Sequence, residues 1–160
     1  MTQTFEYPNL LTGSRSGVGW TYWNGHMDDN QHHLLYNSTN KENFIESPRV
    51  HLKHGITYAF SVYTANTENC AGVDIFVLYE KTVTGWIAKY VTGTAKGPGG
   101  GWITSTFTIP DSSPEGNYYI RFDNNGTTDG QKSTVWFADP MLCVASEPHA
   151  WAPAEGEVLE

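Results

Sequence analysis

Along most of this chain apolar and polar residues alternate one for one, in short runs that stop at clusters of Gly, Pro, Asn, Asp and Ser. A period of two places successive side chains on opposite faces of an extended strand. The runs predict strands near 18–24, 31–36, 43–52, 56–65, 73–80, 86–92, 102–109, 117–124 and 133–144. The breaks between them are made of turn formers: Gly13-Ser14, Asp28-Asp29-Asn30, Asn66 to Gly72, Lys96 to Gly101, Pro110 to Gly116 and Asn124 to Gly130. No window keeps a 3.6-residue apolar period for three turns, and no internal repeat is visible. The pattern predicts an all-β fold, a two-sheet antiparallel β-sandwich with jelly-roll connections.

The same alternation sorts side chains by face. In 117–124, Tyr118, Ile120 and Phe122 fall on one face and Tyr119, Arg121 and Asp123 on the other. The first set is apolar and is assigned to the core. In 102–109, Ile103, Ser105, Phe107 and Ile109 turn inward, leaving Trp102, Thr104, Thr106 and Thr108 outside. In 56–64, Tyr58, Phe60 and Val62 oppose Ala59, Ser61 and Tyr63. Three strands thus carry an aromatic residue, Trp102, Tyr119 or Tyr63, on the face expected to meet solvent.

Composition agrees with a strand-and-loop protein: charged residues are 16%, aromatics 14%, and there are 16 Gly and 8 Pro. A length of 160 residues suits one domain with a real core. The net charge of −8, from 17 acidic and 9 basic side chains with no Lys/Arg stripe, repels polyphosphate. Nucleic acid and anionic membrane are therefore excluded as partners, and a neutral or weakly charged ligand is favoured. No apolar run approaches the roughly 20 residues of a membrane span. The start, Met1 to Glu6, lacks the basic and apolar parts of a signal peptide, so an extracellular role is expected by another route, such as assembly into a virion released on lysis. The two cysteines, Cys70 and Cys143, are expected to be free thiols with one buried, and zinc is not expected.

Saccharides present C–H-rich faces and hydroxyl edges, which call for flat aromatic platforms beside planar hydrogen-bonding groups. Arg121 and Asp123, two apart on one strand, supply a fork of donors and a pair of acceptors. Their alternative role is an ion pair that merely solvates a sheet face. Trp20, Trp23, Trp86 and Trp102 border turns or stand on outward faces, whereas Trp136 and Trp151 read as packing residues. The expected ligand-binding set is Trp102, Tyr119, Arg121, Asp123, Tyr63, Trp23, Trp20 and Trp86.

Other chemistry is thin. Asp28, Asp29, His32 and His33 form a mixed cluster that reads as a polar loop rather than a transition-metal site, and His51 and His54 read as surface. Asp123 to Asp129 has its glycine too early for a calcium loop, with Thr134 where the bidentate Glu belongs, and reads as a turn. There is no G-x-S-x-G elbow, and Gly97 to Gly101 lacks the Lys-Ser/Thr of a phosphate loop. A glycosidase would need two flanking carboxylates, for which Asp74, Glu80 and Asp123 are the available groups. Asn37-Ser38-Thr39 and Asn125-Gly126-Thr127 are sequons that matter only in a eukaryotic secretory setting.

Two segments carry a resemblance. Asn9-Leu10-Leu11 precedes a Gly/Ser turn and the Trp-rich Gly19-Trp20-Thr21-Tyr22-Trp23, and the Pro140-Met141-Leu142 step of the last strand leads to Trp151-Ala152-Pro153-Ala154-Glu155. The chain resembles, at both ends, the carbohydrate-binding, lectin-like jelly-roll modules of tail and baseplate proteins, of the distal tail or tail-associated type, from phages infecting Gram-positive bacteria. The resemblance implies a non-catalytic module that recognises host cell-wall saccharide during adsorption. It implies a virion component, made in the bacterial cytoplasm and acting at the host surface, with wall polysaccharide and other tail subunits as partners. Ligand is then expected on one sheet or in the rim loops. No cofactor is required, although such modules often carry a bracing calcium, for which Asp139 is the matching acid; the usual second acid is Ala138 here. The alternatives are a structural domain packing on another tail subunit and a polysaccharide-degrading enzyme. Residues 1–150 are expected to form the module and 151–160 an exit linker.

Overall fold

In a computed structural model, residues 5–80, 87–92 and 100–157 are described, with the backbone alone for 87–92. Eleven strands form and no helix is present among the described residues: β1 (Thr21–Tyr22), β2 (Gly25–Met27), β3 (His32–Asn37), β4 (Asn43–Glu46), β5 (Val50–Leu52), β6 (Thr57–Asn66), β7 (Val73–Tyr79), β8 (Ile87–Thr92), β9 (Gly100–Thr108), β10 (Gly116–Asn124) and β11 (Ser133–Val144). They make two antiparallel sheets. The first runs β1-β4-β10-β7-β8, with β5 pairing β10 beside β4, and the second runs β2-β3-β11-β6-β9. After β5 the chain crosses between the sheets at every step except from β7 to β8, which gives the jelly-roll sandwich expected from the alternation.

One expected strand is split and another is shortened, each for a local reason. The 43–52 run breaks at Pro48, which has no N–H to give to the ladder. Ser47 bridges the gap, because its Oγ accepts the Ile120 N–H at 2.9 Å while its own N–H donates to the Ile120 carbonyl at 2.9 Å. The 18–24 run shortens to β1 in the first sheet, and β2, which was not expected, follows it in the second. The crossing residue Asn24 has φ 79°, and Gly25 lies so close to β3 that a Cβ would stand 2.0 Å from the Leu34 carbonyl oxygen.

Tyr118, Ile120 and Phe122 are buried as their face requires, and Phe122 stacks on Phe137 of the opposite sheet at 4.6 Å between centroids. Phe60, Val62, Ile75, Val77 and Phe107 complete this inter-sheet core. Full burial of such side chains stabilises the fold by roughly 1.5–3 kcal/mol each.

A second cluster lies outside the sandwich. The ladder between β11 and β6 shifts register between Ala138 and Met141, and Asp139 takes φ 52°. The extra residue reverses the facing of the strand, so Phe137 and Leu142 belong to the main core whereas Met141 and Cys143 face outward. Met141, Cys143, Ala59, Ala145 and Ala152 are covered there by Phe5, Tyr7 and Trp151. This corrects the expected linker. The Asn9 N–H donates to the Pro153 carbonyl at 3.1 Å, the Trp151 indole N–H to Ser14 Oγ at 3.0 Å, and the Gly13 N–H to Glu157 Oε2 at 2.9 Å. Residues 151–157 are therefore part of the packed module. Cys70 and Cys143 are free thiols as expected, but both are buried, each in a different cluster.

Candidate functional site

The outer face of the first sheet presents three cross-strand rows. Phe44, Asp123 and Asp74 form one, Glu46, Arg121 and Phe76 the next, and Tyr119 with Leu78 the third. Trp23, in the β1–β2 connection, adds to the row of Phe44. Its N–H donates to the Phe44 carbonyl at 3.0 Å, its ring centroid lies 4.4 Å from that of Phe44, and it is 44% exposed. Phe44, Phe76, Leu78 and Tyr119 are half-buried.

Two arginines stand over these rings. The Arg121 guanidinium sits 3.9 Å above Phe44 and 5.8 Å from Phe76, while Arg49 sits 4.1 Å above Tyr119. Their edges are taken by acids. Arg121 Nε and Nη2 donate to the two Asp123 oxygens at 2.7 and 3.2 Å, and Nη2 also meets Glu42 at 3.4 Å. Arg49 meets Glu80 at 3.3 Å and Glu46 at 4.0 Å. Asp123 stands on an outward strand position yet is fully buried beneath this layer. Burial pushes its carboxyl up to about 7, against the pull of Arg121. Burial also opposes the Arg121 charge, but the hydrogen bonds and charge of Asp123, together with Glu42 and Tyr119, outweigh it and raise the guanidinium pKa above its usual value. A fork in which both oxygens accept is that of the ionised carboxylate, which Arg121 favours against burial.

The sequence-derived set is split by this geometry. Tyr119, Arg121, Asp123 and Trp23 share the face. Trp102 and Tyr63 pair edge to face at 5.6 Å on the opposite side of the molecule, the outer face of the second sheet, and are 56% and 37% exposed. Trp20 is corrected from surface to core: it is 7% exposed, donates its indole N–H to the Thr12 carbonyl at 2.9 Å, and packs 4.4 Å from His33. A large side chain with its polar atom satisfied internally has no surface left for a ligand. Trp86 lies outside the described residues. Phe44, Phe76 and Arg49 were missed. The two phenylalanines were legible, because Ile45 inward puts Phe44 outward, and Ile75 and Val77 do the same for Phe76. Arg49 had no such signal.

Among the described residues no group of three or more His, Cys, Asp or Glu side chains is arranged to hold a metal ion. His33 leaves the Asp28 cluster by pointing into the core. Its Nε2–H donates to the Ser14 carbonyl at 2.7 Å and its Nδ1 accepts the Tyr22 hydroxyl at 2.7 Å, the pattern of a neutral ring, and burial lowers its pKa to about 4. Asp28 pairs with His32 instead, at 3.1 Å. His54 is half-buried rather than a surface residue, its ring bonded to the Ser113 carbonyl. Asp139 receives Arg15 Nε at 2.8 Å, and Arg15 in turn lies 3.5 Å over Trp151. The Asp123–Asp129 segment is tied as a turn by Asn69, whose amide donates to Asp129 Oδ1 at 3.0 Å and the Gln131 carbonyl at 3.1 Å. The three acids considered for hydrolysis are all engaged. Asp123 lies under Arg121, Glu80 on Arg49, and Asp74 accepts from Asn125 at 3.0 Å.

No protein-family model matches the chain, and neither does any curated protein. Solved structures do share its fold. A family 16 carbohydrate-binding module is 16% identical with a TM-score of 0.59, over 84% of this chain and 99% of that one. The amino-terminal cellulose-binding domain of Cellulomonas fimi β-1,4-glucanase C is 14% identical with a TM-score of 0.57, over 88% and 99%. A chain of the tripod from the baseplate of bacteriophage Tuc2009 is 22% identical with a TM-score of 0.67; this chain is covered over 98% of its length and spans 62% of that one. At these identities the likeness establishes the β-sandwich fold.

Proposed function

We propose that the chain is a non-catalytic carbohydrate-binding module of a phage tail, and that it holds host cell-wall saccharide on the outer face of its first sheet. The observation that carries this is the strip Trp23, Phe44, Phe76 and Tyr119, flanked by arginines already pinned by carboxylates. Rings offer flat area to sugar C–H faces at little entropic cost, and pinned polar groups lose little freedom on meeting hydroxyls. The fold is shared with proteins described as carbohydrate- and cellulose-binding, and with a phage baseplate component, which supports both halves of the reading. The Gram-positive host and the virion location at the host surface are part of the proposal. Binding is proposed to need no metal, and weak single contacts are multiplied by the many copies on a virion.

A second reading has its own observation. Trp102 and Tyr63, exposed on the opposite face, suit packing against another tail subunit. One pair of variants separates the two surfaces. Trp23→Ala is expected to weaken adsorption to purified Gram-positive cell wall about tenfold, as loss of an aromatic platform does. Trp102→Ala is expected to leave adsorption unchanged. The reverse pattern would move the sugar to the second sheet.

A further inference from the structure

We infer that the saccharide held on this face is uncharged, and that acidic wall polymers, whether phosphate-bearing, uronate or sulfated, are refused by the site itself. The inference rests on the saccharide reading above and adds the class of ligand. The net charge of the chain acts at long range and is screened by salt. The local arrangement is not removed in that way.

An anionic group needs an unpaired cationic donor at its landing place. The face carries two arginines among its described side chains, and each is paired with two acids and stands over a ring. Arg121 has its Nε and Nη2 on Asp123, a further contact to Glu42, and its plane on Phe44. Arg49 has Glu80, Glu46 and the Ser47 carbonyl on its edge and Tyr119 beneath its plane. Asp74 adds a further acid to the same rows. Five acids, Glu42, Glu46, Asp74, Glu80 and Asp123, therefore stand against the two arginines among the described side chains of this face. A phosphate or uronate would have to displace a carboxylate already bound, and would then face it at short range, where like charges cost most. A neutral hydroxyl meets no such barrier. It can donate to Glu42, whose side chain is 54% exposed, while the exposed Trp23 ring takes the sugar face.

The test is a glycan array carrying neutral, uronate, sulfated and phosphorylated bacterial glycans, probed with the full chain at low and high salt. The expected result is binding confined to neutral glycans at both salts. Binding of acidic glycans as strong as that of neutral ones, at either salt, would overturn this inference and leave the saccharide reading standing. Silence across the whole array would overturn both. A second arm uses Glu42→Gln with Glu80→Gln, which releases part of each guanidinium edge. The ratio of acidic to neutral binding should rise by about tenfold, the scale of one freed charge-assisted contact. An unchanged ratio in a folded double variant would overturn the claim that these carboxylates set the selectivity.

Discussion

Arg121→Ala should destabilise the folded protein, and by an amount that depends on pH. Arg121 is 21% exposed at its side chain, whereas Asp123 beneath it is 0% exposed. Removing one partner of a buried ion pair costs about 3–5 kcal/mol when the other charge is stranded. Two features reduce that here. Arg121 reaches solvent, so water can enter the vacated space, and Asp123 can escape by taking up a proton. Its carboxyl is already pushed up to about 7 by burial, with Arg121 opposing, and must rise further once Arg121 is gone. The unfolded chain releases that proton near pH 3.9. Above this value the folded variant holds a proton that the unfolded variant lacks, so its stability falls as pH rises; the wild type shares that fall up to about 7, where its own Asp123 ionises, and the deficit of the variant widens above it.

We therefore expect a deficit of roughly 1 kcal/mol near pH 5, from lost packing on Phe44, growing to roughly 2–3 kcal/mol near pH 8. At the higher pH this corresponds to a fall in Tm of roughly 4–10 °C for a domain of this size. Urea denaturation of both proteins at the two pH values measures it directly. Asp123→Asn should relieve the variant, so that Arg121→Ala costs less in that background by about 1–2 kcal/mol near pH 8. A deficit equal at both pH values, or none at all, would refute the claim that Asp123 is a buried charge dependent on Arg121.

Three further outcomes follow from the packing. His33 titrates near 6.5 unfolded and about 4 folded, so its contribution is full above pH 6.5 and is lost as pH falls toward 4. The stability difference between wild type and His33→Gln should shrink by up to about 3 kcal/mol over that window, and a constant difference in urea melts would contradict it. Deleting residues 151–160 should lower Tm by roughly 5–10 °C, because it uncovers Met141 and Cys143 and breaks the Asn9 pairing; an unchanged Tm would restore the linker reading. Trp20→Ala should destabilise by about 3–5 kcal/mol as a lost core aromatic, and stability within error of wild type would return Trp20 to the surface.

The sandwich was legible because burial on one face writes itself into a strand at period two. The inward set of β10 and the outward place of Tyr119, Arg121 and Asp123 follow from that rule alone. The rule names a face of a strand but not the sheet to which the strand belongs. Trp102, Tyr63 and Tyr119 were all outward, and topology then set the first two on one side of the molecule and the third on the other. Outward also did not mean exposed, since Asp123 is roofed by its own neighbours. Trp20 was misplaced because a tryptophan beside a glycine turn looks the same whether it covers a loop or fills a core; the deciding partners, Thr12 and His33, come from tertiary packing. The bulge at Asp139-Pro140 was equally silent, and with it the reversal that makes residues 151–157 a cover for the sheet.

The central claim is that saccharide lies along the first sheet's outer face, and mapping backbone and side-chain NMR shifts during titration with oligosaccharides released from Gram-positive cell wall tests it most directly. Saturable shifts concentrated on Trp23, Phe44, Phe76, Tyr119 and Arg121 are expected, with Trp102 and Tyr63 unmoved. Shifts confined to Trp102, Tyr63 and their neighbours would contradict it.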